Sequence, residues 1–255
     1  MDANKSIFDI SISNLPNMLH KTKIINLLKN PIIKNKSELA DIMTKYGSDK
    51  GSGLSQDFIL YNKRPPNLVC HNYTFFYELL FEKYKNESIN IFEMGIGVPL
   101  CMGSLAGSLK GWVEYFPNSR IYSADIDKEN LYSNDRITSY YVDQENQNSI
   151  IELWKNNPIS DILFDLIIDD GPHTYTSNYL FYINSIQKLK QNGIYIIEDI
   201  NLDFINQLQN DITLFNTNNN MNIELIKLII PYPLKFTHPL EIILKMNNLL
   251  ILKKL

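Results

Sequence analysis

Two apolar runs that end in acidic residues constrain the fold more than any other feature of the sequence. The run Leu166–Ile168 leads into Asp169–Asp170, and the run Ile194–Ile197 leads into Glu198–Asp199. Runs without polar alternation that are rich in β-branched residues are typical of strands covered on both faces, as in a parallel sheet. Between the runs, residues 175–190 place apolar side chains near helical spacing, and Gly193 follows as a stop. We therefore predict a strand, a crossover helix and a second strand.

The acidic residues follow both strands at the same edge of the predicted sheet. Parallel neighbours finish at a common edge, where open α/β sheets bind their ligands, so Asp170, Glu198 and Asp199 should converge there. Clustered carboxylates repel one another unless a cation relieves them, and oxygen ligands suit a hard ion such as magnesium. His173, on the loop that leaves the first of these strands, is placed to act as a base.

Each acid has a simpler interpretation when it is taken alone. An aspartate at a strand end often caps the following helix, and Asp-Gly is a common turn. Acids at two successive strand ends, together with a histidine, favour a site over isolated caps.

Composition narrows the class of protein. The chain of 255 residues is 44% hydrophobic and 20% charged, which is typical of a globular domain with an added segment. A net charge of −4, with no basic cluster before Lys253–Lys254, gives no reason to expect nucleic acid. Neither a secretory leader nor a membrane-spanning run is apparent, so we expect a cytoplasmic protein that does not bind membranes. Cys70 and Cys101 lack the spacing of a zinc site, and a disulfide framework is not indicated.

The first part of the chain is predicted to be helical and peripheral. One helix is expected around residues 24–28 and a second begins after Ser37, its cap. Tyr46–Gly51 follows as a loop with a helix-stop glycine and an acid–base pair, for which a solvated turn is the simplest alternative. Residues 52–70 have no clear period and predict an irregular loop, either a lid or binding element or a disordered excursion. A helix over 71–84 comes next.

A glycine turn follows the first predicted strand of the sheet. Ile89–Gly97 reads as a short strand running into Gly95 and Gly97, with a helix expected over 103–116. Such a turn approaches a ligand closely, and a helix N-terminus can hold an anionic group. Leu100 stands where a dinucleotide loop would need its third glycine, which counts against a nicotinamide enzyme such as an epimerase or dehydrogenase. Asp125 ends the second strand, where an acid usually takes ribose hydroxyls.

The remaining segments continue the alternation of strands and helices. A strand over 139–144 and a helix over 149–155 precede the central unit, and a helix over 203–214 follows it. Strands near 222–230 and 249–253 close the chain, and two consecutive strands imply an antiparallel pair at the edge. The fold class is therefore α/β, doubly wound and mostly parallel.

Several of these motifs resemble a known enzyme family. Glu93–Gly97 after the first strand, with the C-terminal strand pair, looks like a class I S-adenosylmethionine-dependent methyltransferase. Asp169–His173 together with Ile197–Asp199 resembles the metal-dependent sugar O-methyltransferases of the macrocin and mycinamicin type and their cephalosporin-pathway relatives. Three further stretches are similar to the same group: Tyr46–Gly51, His71–Tyr73 and Trp112–Asn118.

The resemblance implies a fold and a division of the chain. It implies a Rossmann-like, seven-stranded methyltransferase sheet, with residues 86–255 as the S-adenosylmethionine-binding domain and residues 1–85 as an N-terminal helical extension and loop. Composition leaves open whether the N-terminal helices pair two copies into a homo-oligomer or cover a pocket.

The resemblance also implies roles for individual residues. The implied cofactor-binding residues are Glu93, Gly95 and Gly97 at the methionine part, Asp125 at the ribose, and Asp143 and Gln144 near the adenine. Asp169 belongs to the same cofactor-binding set. Asp170, Glu198 and Asp199 would hold Mg²⁺. His173 and Asp170 would be the catalytic residues, with His173 as the base. Pro172 departs from the small polar residue usual before the histidine, and the 52–70 loop is longer than the family's link.

The implied function is O-methylation of a hydroxyl on a sugar or a small phosphorylated or nucleotide-linked metabolite, with capsule or cell-surface glycan assembly as one hypothesis for its use. A metal and a base suit this chemistry, because an alcohol is a poor nucleophile until it loses its proton. A catechol-type small-molecule methyltransferase and a non-catalytic homologue that keeps only the cofactor pocket remain as alternatives.

Overall fold

The computed structural model describes residues 37–51, 73–97, 104–229 and 248–255. The helix predicted around residues 24–28, the loop over 52–70 and both cysteines lie outside the described residues.

A seven-stranded sheet forms the centre of the molecule, in the order β3-β2-β1-β4-β5-β7-β6. Strands β1 to β5 run parallel, while β7 is antiparallel to both of its neighbours, β5 and β6. The predicted fold class, with its antiparallel C-terminal pair, is thereby confirmed. The strands are β1 Asn90–Met94, β2 Arg120–Asp125, β3 Ile137–Tyr141, β4 Phe164–Asp169, β5 Leu189–Ile197, β6 Ile223–Ile229 and β7 Asn248–Lys254.

Helices cover both faces of the sheet. They are α1 Glu38–Lys45, α2 Thr74–Phe81, α3 Gly107–Tyr115, α4 Gln147–Leu153, α5 Tyr175–Ser185 and α6 Ile205–Asn218. Ser37 caps α1 as predicted, because its Oγ accepts a hydrogen bond of 3.0 Å from the backbone N–H of Ala40. Within the described ranges, every helix is too short or too polar to cross a bilayer.

Several helix boundaries differ from their predicted positions, and two of them have a clear structural reason. The helix after the glycine turn begins at Gly107 instead of residue 103, because Ala106 adopts a left-handed conformation with φ 55° that a helix cannot continue. The crossover helix ends at Ser185 instead of running to residue 190, and a 3₁₀ turn over Ile186–Lys188 leads into β5. Gly193 therefore lies within β5 and does not stop the helix.

Side chains alternate between two apolar layers along the central strands. On β1, Ile91 packs with α1, α2 and α3 on one face of the sheet, while Phe92 packs with α4, α5 and α6 on the other. Tyr77 of α2 and Trp112 of α3 belong to the first layer. The described part of residues 1–85 thus shares its core with the sheet, and the division of the chain at residue 85 stays a prediction.

Candidate active site

The acidic strand ends meet at the C-terminal edge of the sheet. Strands β1, β4 and β5 are direct neighbours, and their register pairs Met94 with Asp169 and Asp169 with Ile197. The residues that follow these strands therefore leave the sheet side by side. The ammonium group of Lys50 joins two of them, with ion pairs to Asp170 Oδ2 and, at 2.6 Å, to Glu198 Oε2.

Asp170, His173 and Asp199 form a group that could hold a metal ion. One ligand atom from each residue lies within 4.8 Å of the others. The Nε2 atom of His173 is 3.9 Å from Asp170 Oδ1 and 3.8 Å from Asp199 Oδ2. The side chain of His173 is 22% exposed, so this group can be reached from solvent.

Unusual backbone conformations set the directions of two side chains in this group, those of His173 and Asp199. His173 has φ 57° and Asp199 has φ 52°, both in the left-handed region that non-glycine residues seldom occupy. Such conformations cost free energy and persist where the surrounding structure enforces them, often at functional sites. The sequence contains no sign of this strain.

Strand alternation separates the adjacent acids Asp169 and Asp170. Asp169 is fully buried, where Oδ1 accepts a hydrogen bond of 2.6 Å from Gln144 Nε2 and Oδ2 accepts one of 3.0 Å from Asn178 Nδ2. Burial raises the pKa of Asp169 to about 6, although these two amides and His173 act in the opposite direction. In this geometry Asp169 fixes the loop that carries Asp170, while Asp170 itself faces Lys50 and His173.

Glu198 is held by donors from the N-terminal segment. Lys50 binds Oε2, and the hydroxyl of Tyr77 donates a hydrogen bond of 2.5 Å to Oε1. The residue is 1% exposed, and burial raises its pKa well above the usual range despite the opposing charge of Lys50. The structure thus brings Glu198 to the acidic cluster but not into the group formed by Asp170, His173 and Asp199.

Lys50 is a member of the site that sequence reasoning missed. It is 1% exposed, so the alternative of a solvated turn at Tyr46–Gly51 is wrong for this residue. Burial alone would lower the pKa of Lys50, but the charges of Asp170 and Glu198 outweigh it and raise that pKa well above the ordinary value. The only hint in the sequence was that Tyr46–Gly51 resembles a family motif.

The loop before Lys50 is fixed against the start of α3. Ser104 donates its N–H to the carbonyl of Gly47 at 3.0 Å, and a Cβ on Gly107 would lie 2.7 Å from the carbonyl oxygen of Tyr46. Gly47 itself has φ 73°, in agreement with its predicted role as a helix stop. This contact holds Lys50 in position over the strand ends.

Tyr73 plays a similar part for Asp199. Its buried hydroxyl donates a hydrogen bond to Asp199 Oδ1. Burial, and then the charge of Asp199, raise the pKa of Tyr73 well above its ordinary value, so the phenol stays a donor. Tyr73 and Tyr77 thus both donate hydrogen bonds to the acidic residues. The sequence placed Tyr73 in a family motif and Tyr77 in a predicted helix, but it did not indicate these contacts.

Glu93, at the end of β1, is also buried. One carboxylate oxygen accepts a hydrogen bond of 2.6 Å from Ser108 Oγ, and the other accepts one from Trp112 Nε1. Burial raises the pKa of Glu93 to about 7, against the opposing effect of Lys50. The carboxylate therefore anchors α3 beneath the predicted cofactor position.

The glycine turn lies directly beside the acidic loop. Gly95 has φ 87°, and a Cβ on it would lie 2.0 Å from the carbonyl oxygen of Asp170. Gly97 has φ 94°, and no atom of the described residues lies within 4 Å of its Cβ position. Asp125 braces this turn, because Oδ2 accepts a hydrogen bond of 2.9 Å from the N–H of Ile96. The turn thus packs directly against the loop that carries Asp170 of the candidate metal group.

The residues predicted near an adenine lie at the end of β3 and past it. The carboxylate of Asp143 accepts a hydrogen bond of 3.0 Å from the N–H of Glu145 in a local turn. Gln144 is 3% exposed and points inward to Asp169, while its Oε1 is a buried atom that accepts no hydrogen bond from the described residues. A Cβ on Gly171 would lie 1.8 Å from this oxygen, so Gln144 packs directly against the loop of Asp170.

The sheet order and the glycine turn beside acidic strand ends give this chain the fold of a class I methyltransferase. The MycE methyltransferase of the mycinamycin biosynthetic pathway, in a complex with Mg and SAH, has the same fold, with a TM-score of 0.56 and 20% identity. That comparison covers 90% of this chain and 58% of the other. A second MycE structure, which also contains mycinamycin VI, gives 0.57 at 17% identity, over 94% and 64% of the two chains.

The sequence is similar to sugar O-methyltransferases, as its motifs predicted. It is 30% identical to demethylmacrocin O-methyltransferase of Streptomyces fradiae over 131 residues, 51% of this chain and 32% of that protein. It is 25% identical over 166 residues to 8-demethyl-8-alpha-L-rhamnosyl tetracenomycin-C 2'-O-methyltransferase of Streptomyces olivaceus, 65% of this chain and 38% of that protein. The chain therefore matches about a third of the length of these relatives. No family model matches the sequence.

Proposed function

We propose that this protein is an S-adenosylmethionine-dependent O-methyltransferase that acts on a hydroxyl group of a sugar or a small phosphorylated or nucleotide-linked metabolite. The observation that carries the proposal is the position of the Asp170, His173 and Asp199 group directly beside the glycine turn at Gly95. A methyl donor on the turn and a hydroxyl at the acidic group would then be neighbours, which is what an in-line displacement needs.

The glycine turn suits the cofactor. No described residue fills the space at the Cβ position of Gly97, and Asp125 at the end of β2 stands where ribose hydroxyls are bound in such sheets. We assign Glu93, Gly95 and Gly97 to the methionine side, with Glu93 acting through the helix it anchors. Gln144 and Asp169 would support the cofactor pocket from within, since both are buried, and Asp143 lies on the adenine side.

The acidic group suits a divalent cation. Carboxylate oxygens are the ligands that a hard ion such as Mg²⁺ prefers, and ligand atoms of Asp170 and Asp199 lie within 4.8 Å of each other. Asp170 and Asp199 would hold Mg²⁺, with Glu198 as the third acid at the cluster. When bound, the ion would lower the pKa of the acceptor hydroxyl and orient it.

His173 would be the general base. Its Nε2 atom lies beside both Asp170 and Asp199, at the point where an acceptor hydroxyl would meet the acidic group, and histidine is a common proton acceptor in catalysis. Asp170 would thus serve both the cation and the histidine. The sugar preference of the relatives supports a glycosyl acceptor, and capsule or cell-surface glycan assembly is the setting that we propose for it.

Transfer of a labelled methyl group to a panel of nucleotide sugars, free sugars and catechols tests this function. Methylation of a sugar or nucleotide-linked hydroxyl that disappears on chelation of metal is the expected result. Transfer confined to catechols would favour the catechol-type alternative. Binding of S-adenosylmethionine without transfer to any acceptor in the panel would remove the proposed acceptor class and leave a non-catalytic binding protein.

A further inference from the structure

The ammonium group of Lys50 lies among three carboxylates. It contacts Asp170 Oδ2 and, at 2.6 Å, Glu198 Oε2, and Glu93 Oε1 lies 3.9 Å away. The lysine side chain is 2% exposed, so water does little to screen these charges. A buried lysine with this many acidic neighbours is an internal cation of the site and not an ordinary surface ion pair.

The contacts of Lys50 overlap with those of the proposed metal. Asp170 binds Lys50 through Oδ2 and faces His173 through Oδ1. Both oxygens of Glu198 already accept hydrogen bonds, one from Lys50 and the other from Tyr77. A metal ion that uses Glu198 must therefore share an oxygen with one of these donors or displace it. An ion that uses only Asp170 still brings a second positive charge close to the ammonium group.

We propose that Lys50 is a built-in counter-cation that competes with a divalent metal ion for Asp170 and Glu198, so that metal binding displaces its ammonium group from these carboxylates. The inference rests on the proposed metal site. It assigns Lys50 to the control of metal affinity, as a positioning residue that acts through the two acids.

Glu93 gives the displaced ammonium group an alternative partner. Its Oε1 atom is already 3.9 Å from Lys50 Nζ, so rotation about the flexible lysine stem exchanges one acidic neighbour for another without exposing the charge. The carboxylate of Glu93 is itself fixed by Ser108 and Trp112. The site can therefore keep Lys50 buried and paired in both arrangements.

Binding of Mn²⁺ to the full chain tests the competition between Lys50 and a metal ion. It can be measured by calorimetry and by the electron paramagnetic resonance spectrum of the free ion. Lys50→Met keeps the length of the side chain and removes its charge, so we expect it to bind Mn²⁺ roughly tenfold more tightly than the wild type. Lys45→Met removes an exposed lysine that pairs with Glu114 nearby, and it should leave the affinity unchanged. A Lys50→Met protein that binds Mn²⁺ equally well or more weakly would overturn the proposal, because a purely structural lysine would act in that direction.

A measurement on the wild-type chain covers the case in which Lys50→Met does not fold. The ¹⁵N-labelled ammonium signal of Lys50, assigned through Lys50→Arg, should shift on addition of Mg²⁺ as its hydrogen bonds change. An unchanged signal in protein that calorimetry shows to be loaded with Mg²⁺ contradicts displacement. Absence of metal binding in every variant would also refute the displacement of Lys50, together with the metal site of the proposed function. Calorimetry with S-adenosylmethionine tests the proposed cofactor binding separately.

Discussion

Gly95 packs against the backbone of Asp170 so closely that a Cβ at position 95 would lie 2.0 Å from the Asp170 carbonyl oxygen. This approach joins the glycine turn after β1 to the acidic loop after β4, because the two strands are neighbours in the sheet. The predicted cofactor position and the predicted metal position are therefore joined by a direct backbone contact.

Substitution of Gly95 by alanine should disrupt this contact. The new Cβ meets backbone that cannot move aside, and φ 87° is unfavourable for alanine. Gly97→Ala is the matched control, because φ 94° imposes a similar strain but no described residue lies within 4 Å of the new atom. We expect Gly97→Ala to lose about 1–2 kcal/mol in the free energy of unfolding and Gly95→Ala clearly more, as measured with urea. Equal losses would show that the close approach is not important.

Replacement of His173 should remove the proposed base without removing the cofactor. Asparagine tolerates the left-handed backbone at this position better than alanine does, so His173→Asn is the cleaner variant. We expect kcat to fall roughly 10²- to 10⁴-fold while the dissociation constant for S-adenosylmethionine, measured by calorimetry, stays the same. Wild-type kcat in this variant would exclude His173 as the base.

Loss of the Tyr77 hydroxyl should destabilise the fold through Glu198. Tyr77→Phe leaves Oε1 of a buried carboxylate without its donor, and hydrogen bonds to charged groups contribute roughly 1.5–3 kcal/mol. Tyr84→Phe provides the control, since its hydroxyl donates to the Asn192 carbonyl at 3.3 Å on the surface and should matter by less than about 0.5 kcal/mol. Unfolding in urea compares the two, and similar small losses would mean that Glu198 does not depend on Tyr77.

The raised pKa of Asp169 predicts a pH dependence of stability. A carboxyl whose pKa is about 6 in the folded state, against the ordinary 3.8, binds more protons folded than unfolded, so stability falls as pH rises between these values. Ionisation of this one group should lower the free energy of unfolding by about 1 kcal/mol between about pH 5 and about pH 7.5.

Asp169→Asn tests that dependence, because it removes the charge while the amides of Gln144 and Asn178 can reorient towards it. The stability difference between wild type and variant should change across this pH range, and Tyr195 and His173, the other titratable groups near Asp169, are common to both proteins. A difference that is independent of pH would show that Asp169 does not titrate there.

The sequence by itself determined the sheet and the edge at which the site lies. Apolar runs without alternation specify strands buried on both faces, and acids that follow such runs must emerge at the C-terminal edge whatever surrounds them. The positions of Asp170, Glu198 and Asp199 just after β4 and β5 were predictable for this reason. The helix-stop glycine at residue 47 and the cap at Ser37 were predictable from local helix-end preferences.

Only the tertiary structure decided which donor binds each acidic side chain. Lys50, Tyr73 and Tyr77 lie far from Glu198 and Asp199 in the chain, so no local pattern could pair them with these carboxylates. Which oxygen each donor takes depends on how α1 and α2 pack on α3 and the sheet, and packing follows from contacts among all the layers at once. Sequence periodicity places a side chain on a face, but the partner that it meets there is set by elements that the periodicity does not describe.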